Sequence, residues 1–125
     1  MGEIRDKVTI EGNKKTVTID DALFDSGANA VFIARELADD IGLTEKPQRY
    51  PAKGAFDEKE EEHAQTALGD IVINGCKRPV QFAIVEKLPR EKLIIGFLAM
   101  EQLGIELDPM TKKIKAIKCP PPFYL

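Results

Sequence analysis

Alternating apolar and polar positions predict three β-hairpins along the chain. Their paired strands are predicted at residues 7–10 and 15–19, at residues 68–73 and 80–85, and at residues 105–108 and 113–117. Asn74-Gly75 separates the strands of the second hairpin, and this dipeptide favours a type I′ turn. The pattern therefore predicts a chain of short strands joined by tight turns.

Two wholly apolar segments each run into a glycine and are followed by a helical pattern. Residues 22–24 lead to Asp25-Ser26-Gly27, and from Val31 the apolar residues lie four apart, which predicts a short helix that ends at Gly42. Residues 93–95 lead to Gly96, with a second short helix after it. Since both halves repeat this order, we expect an all-β fold, a closed, pseudo-symmetric and mostly antiparallel barrel with one or two short helices.

Length and composition narrow the class of protein. The 125 residues suit one domain, residues 1–125, and the net charge of −3 argues against nucleic acid as a partner. The longest apolar run has only eight residues, too few for a membrane span, and no export signal is apparent. A cytoplasmic location is therefore expected, with Cys76 and Cys119 both reduced.

The acidity is concentrated in residues 57–62, which contain five acids and one lysine. This run is interpreted as a solvated loop or hairpin tip at the end of an exposed, mobile excursion over residues 47–62. It has no glycine, so it does not match a calcium-binding loop, and no metal or other cofactor is predicted. Residues 118–125 form a proline-rich tail that cannot continue a central strand.

Asp25 is the residue with the clearest chemical interest. It follows an apolar strand, so its carboxylate would stand at the end of a buried element, where desolvation is costly without a partner. Asp-Ser-Gly is also a common turn sequence. On the tripeptide alone, an unrelated small barrel with a simple turn at this point remains possible.

Two motifs together resemble those of one family. Residues 22–28, Ala-Leu-Phe-Asp-Ser-Gly-Ala, resemble the catalytic loop of the retropepsin-like aspartic proteases, in which apolar residues precede Asp-Thr/Ser-Gly-Ala. Residues 93–96, Leu-Ile-Ile-Gly, are similar to the second signature of that family, and a short helix follows both. The order of elements over residues 8–117 also matches. The resemblance implies the retropepsin barrel and an aspartic endopeptidase that acts on extended or unfolded polypeptide without a cofactor.

The resemblance also implies roles for individual residues. Asp25 would activate water, the Ser26 hydroxyl would bond across to a partner loop, and Gly27 would let backbone and substrate approach closely. Substrate contacts are expected from Leu23, Ala28, Asn29, Gly54, Ala55 and Ile94. The reaction needs two carboxylates, and the chain has a single Asp-Ser-Gly. A homodimer with Asp25 of each subunit on the two-fold axis is therefore expected.

Three positions depart from the family pattern. Many viral members have an Asp–Arg ion pair near the dimer interface, but the matching positions here are Asn29 and Phe97. Retropepsin flaps usually have a glycine-rich apolar tip, whereas in the matching flap region here, about residues 48–66, the expected tip Gly54 is followed closely by the acidic run. These departures keep a second hypothesis open, a proteolytically weak or inactive dimer that serves as a peptide-binding module.

Overall fold

The computed structural model describes residues 3–54, 57–88 and 90–121. Its elements in chain order are β1 (Ile4–Glu11), β2 (Thr16–Asp25), β3 (Val31–Ala34), α1 (Arg35–Ile41), β4 (Thr44–Gly54), β5 (Asp57–Ile73), β6 (Cys76–Val85), β7 (Leu93–Gly96), α2 (Phe97–Leu103), β8 (Ile105–Asp108) and β9 (Lys113–Ile117). Neither α1 nor α2 is long and apolar enough to cross a membrane.

Six strands close into a barrel, as the sequence predicts. Their order is β1-β2-β7-β3-β6-β5, and β5 pairs back with β1 to complete the ring. Four of these pairings are antiparallel, while β2–β7 and β3–β6 are parallel, so the barrel is mixed. β4 pairs with β5 outside the ring, and β8 and β9 form a separate two-stranded sheet.

The barrel interior is filled by alternate residues of its strands, since successive side chains of a strand point to opposite faces. The largest side chains with almost no exposure are aliphatic or aromatic: Val8, Ile10, Val31, Ile33, Ile41, Ile71, Ile73, Phe82, Ile84, Leu93, Ile95 and Leu103. No polar or charged residue is buried among those whose side chains are described. The described core is therefore held together by apolar packing.

The predicted start of the first helix is wrong. Val31–Ala34 forms strand β3, and α1 begins only at Arg35. β3 lies between β6 and β7, and both strands supply backbone partners to it. Because β-branched and aromatic residues suit a strand with neighbours on both sides, tertiary pairing overrides the helical spacing. The helix does end at Gly42, which has a left-handed φ of 71°.

The acidic run belongs to a strand. Residues 57–62 form the first part of β5, which pairs with β4 from Thr44↔Leu68 to Gly54↔Asp57. The interpretation as a loop is therefore wrong, although the run does adjoin the tip of a hairpin. Ala55, one of the predicted substrate contacts, lies outside the described residues.

The two cysteines form a disulfide, so the expectation of two reduced thiols is also wrong. Cys76 and Cys119 are bonded, with their Cα atoms 5.6 Å apart. The chain after β9 returns to the start of β6, where the Arg78 guanidinium donates hydrogen bonds to the carbonyls of Pro120 and, at 3.0 Å, Pro121. A separation of 43 residues gives no indication of this return path. The C-terminal segment is therefore fastened to its own barrel up to residue 121.

Asp6 fastens the β8–β9 hairpin to the barrel. Its carboxylate accepts hydrogen bonds from the backbone N–H of Ile114 at 3.0 Å and from that of Lys7 at 2.8 Å. Burial raises the pKa of Asp6, but these two hydrogen bonds to the ionised form outweigh it and leave the pKa below its ordinary value. The ionised carboxylate therefore stabilises the folded state.

The double variant Cys76→Ala/Cys119→Ala should unfold in denaturant with a free energy about 3 kcal/mol lower than that of the oxidised protein. The cross-link restricts the unfolded chain, and its loss releases that restriction. Reductant should lower the stability of the native protein to a similar value and leave the double variant unchanged. Equal stability of the oxidised and reduced native protein would contradict this.

Asp6→Ala should lower the free energy of unfolding by about 1 kcal/mol at pH 7, measured in urea. Because the pKa of Asp6 is lower in the folded protein, its carboxylate contributes its full stabilisation above the unfolded pKa of about 4. Protonation removes that stabilisation as the pH falls through the pKa of the folded state. The difference from the native protein should therefore shrink at lower pH. Asp20→Ala, at an exposed position of β2, is the matched control and should have little effect at either pH.

Candidate active site at the end of β2

Asp25 is the last residue of β2, at the edge of the barrel where two parallel strands end together. Phe24 pairs with Ile95 and Asp25 pairs with Gly96 in the β2–β7 ladder. Phe24 and Ile95 are buried, whereas Asp25 is exposed in the single protomer. The buried apolar residues thus fix the end of β2, and the residue that follows them places one carboxylate at the surface.

The loop after Asp25 is a tight turn. The backbone N–H of Gly27 donates to Oδ1 of Asp25 at 2.8 Å, and the N–H of Ala28 donates to the carbonyl oxygen of Asp25 at 3.1 Å. Ser26 and Asn29 are exposed on the same loop. The Asp25 carboxylate is therefore oriented by its own turn, with the Ser26 hydroxyl next to it in sequence and free to meet another molecule.

Gly96 is the residue on which this loop rests. A Cβ atom there would lie 2.2 Å from the carbonyl oxygen of Ala30 and 2.7 Å from that of Ala28. The same Ala28 carbonyl accepts a 2.7 Å hydrogen bond from the N–H of Phe97. Because no side chain fits between the two segments, the glycine of Leu-Ile-Ile-Gly lets the Asp25 loop lie directly on β7.

An apolar patch lies beside the Asp25 loop, separate from the barrel interior. It brings together three residues that the resemblance places in substrate binding, Leu23, Ala28 and Ile94. The same patch contains Phe32, Ala64, Ala83, Val85 and Leu88, which the sequence reasoning missed. Phe32 and Ala83 alternate with core residues of β3 and β6, so strand periodicity would have found them once β3 was recognised as a strand.

The proposed flap residues belong to a different part of the structure. Gly54 ends β4 on the β4–β5 hairpin and pairs with Asp57, while Asn29 and the rest of the loop lie at the end of β2. Ala55 is outside the described residues. The substrate-binding roles of these three residues remain predictions.

A surface groove of about 670 Å³ also borders the Asp25 loop. Besides residues 23–26, it is lined by Glu3, Ile4, Leu107, Pro109 and Lys112, and it is called here the Ile4 groove. Its walls come from the start of β1 and from the β8–β9 turn. The groove thus runs from the carboxylate to the hairpin that Asp6 fastens.

Ion pairs hold the start of β1 beside this groove. The Arg5 guanidinium contacts the carboxylates of Glu91 at 2.5 Å and Glu3 at 2.6 Å. The hydrogen bond to Glu91, followed by that to Glu3, raises the pKa of Arg5, and the Arg5 hydrogen bond lowers the pKa of Glu3.

Within the residues that the structure describes, no group of three or more His, Cys, Asp or Glu is arranged to hold a metal ion.

The sequence model of a protein family described as "Aspartyl protease" matches residues 7–109, which include the Asp25 loop, Gly96 and the apolar patch. The chain belongs to the aspartyl protease family. A comparison with curated proteins gives no match. The family membership agrees with the retropepsin-like resemblance of the two motifs.

Solved structures similar to this chain have the retropepsin fold. The retroviral protease-like domain of Ddi1 from Leishmania major is 19% identical, with a TM-score of 0.55 over 85% of this chain and 81% of that one. EIAV protease, solved with the inhibitor HBY-793, is 14% identical, with a TM-score of 0.58 over 83% and 92%. A retropepsin-like aspartic protease from Rickettsia conorii is 17% identical, with a TM-score of 0.55 over 86% and 85%. These structures establish the barrel that carries Asp25.

Gly96→Ala should displace the Asp25 loop and lower the free energy of unfolding by about 3 kcal/mol, because the added methyl group overlaps two backbone carbonyls. Hydrogen exchange should show faster exchange of the Phe97 amide, whose bond to Ala28 would be broken. Gly75→Ala is the control. It has open space but a φ of 81°, so it should cost about 1 kcal/mol and leave the Phe97 amide protected.

Proposed function

We propose that the protein is a homodimeric aspartic endopeptidase that cleaves extended or unfolded polypeptide. The observation that carries this proposal is the Asp25 loop, seated on Gly96 at the end of two parallel strands, with an apolar patch beside it. Membership of the aspartyl protease family supports it. Each chain has a single Asp-Ser-Gly, so the second carboxylate would come from a second copy.

The proposed chemistry uses the two Asp25 carboxylates as one acid–base pair. Two carboxyl groups about 3 Å apart cannot both carry a negative charge, so the pair would share one proton, as is general for aspartic proteases. The ionised carboxylate takes a proton from water as the water oxygen attacks the peptide carbonyl carbon. The protonated carboxylate donates its proton to the carbonyl oxygen. Collapse of the tetrahedral intermediate then breaks the C–N bond as a proton passes to the leaving amine.

The neighbouring residues would position the dimer and the substrate. The exposed Ser26 hydroxyl would bond to the partner loop, and Gly27 would leave room for the peptide backbone. The backbone of Ala28 and Asn29 would hydrogen-bond an extended peptide, as strand-like recognition requires. Leu23 and Ile94, which lie in the apolar patch, would contact substrate side chains.

The flap and the cell compartment complete the proposal. Gly54 and Ala55 would close over the bound peptide from the β4–β5 hairpin. The mechanism requires no metal or organic cofactor, and neither nucleic acid nor membrane takes part. A cytoplasmic location remains a prediction, and the Cys76–Cys119 disulfide favours a compartment that does not reduce it.

Asp25→Asn should lower the rate of cleavage of a denatured protein at mildly acidic pH by at least about 1000-fold, because the amide can neither accept nor share the proton. Its dimer should persist in sedimentation velocity. Asp20→Asn, an exposed aspartate earlier on β2, should cleave like the native protein. Cleavage by Asp25→Asn at the rate of the native protein would contradict the proposal.

The acidic first part of β5 supports a second candidate function, a dimeric peptide-binding module. Five acids occur where viral flaps are apolar, and such a flap would close less readily over substrate. This candidate predicts no cleavage at any pH between about 3 and 7. It also predicts that extended peptides raise the melting temperature while a statine-type transition-state mimic does not.

A further inference from the structure

Two large apolar side chains are exposed at the start of α2. Phe97 is 46% exposed and Leu98 is 62% exposed, and they directly follow Gly96, the backbone partner of Asp25. The hydrogen bond from the Phe97 N–H to Ala28 fixes this corner against the Asp25 loop. The fold thus presents two apolar side chains at the edge of the candidate active site without burying them in the protomer.

The Ile4 groove lies on the opposite flank of Asp25. β2 has β1 on one side and β7 on the other. Phe97 and Leu98 continue from β7, whereas the groove is bounded by the start of β1 and by the β8–β9 turn. Ile4, Leu107 and Pro109 give the groove apolar lining beside the charged Glu3 and Lys112. An apolar projection and a partly apolar groove therefore flank the same carboxylate.

A two-fold axis at Asp25 would bring these two features together. An axis perpendicular to the line from β1 to β7 places the β7 flank of one protomer opposite the β1 flank of its partner, and every contact then occurs twice. We propose that Phe97 and Leu98 of each protomer pack into the Ile4 groove of the other and form the main apolar contact of the dimer. This inference rests on the proposed dimeric function and identifies the surface that assembles it.

The proposed contact differs in kind from the ion pair of the viral members. Asn29 and Phe97 occupy the two positions of that pair, so this chain cannot form it. An apolar contact is not screened by salt, whereas an exposed ion pair weakens as ionic strength rises. The dimer dissociation constant should therefore stay within about threefold between about 0.05 and 1 M NaCl. A tenfold or greater weakening over that range would overturn the apolar contact.

The direct test compares exposed apolar residues by sedimentation equilibrium. Phe97→Ser and Leu98→Ser should each raise the dimer dissociation constant, by about 100-fold or more for Phe97→Ser, since each substitution removes two symmetric contacts. Leu68→Ser is the matched control. Leu68 is 50% exposed on β5, on the other side of the barrel, and the dissociation constant should not change. Unchanged melting of the monomeric fraction would confirm that the variants fold.

Cross-linking tests the pairing itself. A mixture of Phe97→Cys and Pro109→Cys proteins, one carrying a size tag, should give a covalent heterodimer with a short bismaleimide, because the native cysteines are bonded to each other. Leu68→Cys mixed with Pro109→Cys should give little product. Equal yields from the two mixtures, or a Phe97→Ser protein that dimerises like the native one, would overturn the inference.

Failure of this inference is separable from failure of the proposed function. A native dimer that cleaves through Asp25 but is indifferent to Phe97→Ser refutes the contact and leaves the protease in place. A dimer that Phe97→Ser dissociates but that cleaves nothing supports the contact and refutes the protease. A native protein that is monomeric at every concentration refutes both the contact and the homodimeric protease, because one chain has a single Asp-Ser-Gly.

Discussion

The contact between Gly96 and the Asp25 loop is the constraint on which the rest of the site depends. It requires β2 and β7 to run parallel and end together, because only then does the backbone of Gly96 lie beneath Ala28 and Ala30. The same contact sets where α2 begins. The Asp25 loop, the start of α2 and the exposed Phe97 therefore form one unit, positioned by a residue that has no side chain.

Internal symmetry of the barrel repeats the strand pairing around Asp25 without repeating its carboxylate. Exchanging β2 with β6 and β7 with β3 superimposes the pair Asp25↔Gly96 on the pair Val85↔Ala34. The apolar patch obeys the same exchange, since Leu23 and Ile94 correspond to Ala83 and Phe32. The equivalent of Asp25 is thus a buried valine. The fold repeats the scaffold and its apolar lining within the chain, whereas in the proposed protease the second carboxylate would come from another copy.

Local signals in the sequence predicted much of this architecture, and long-range pairing accounts for what they missed. The three hairpins, the end of α1 at Gly42 and the positions of Asp25 and Gly96 depend on neighbouring residues, such as the Asn74-Gly75 turn. Strand β3 depends instead on partners about fifty residues away, which override its helical spacing. The disulfide depends on the path by which the C-terminal segment returns to β6. Which side of Asp25 lies next to Phe97 is determined only by the order of the strands in the barrel.

The fastened C-terminal segment has a consequence for how two protomers would meet. The disulfide and the Arg78 hydrogen bonds hold residues 118–121 on their own barrel, and Asp6 holds the β8–β9 hairpin there as well. Assembly through these parts of the chain therefore needs no exchange of strands between copies. Two finished barrels would dock and separate as rigid bodies, so the concentration of folded protomers, rather than the speed of folding, would set how much working enzyme is present.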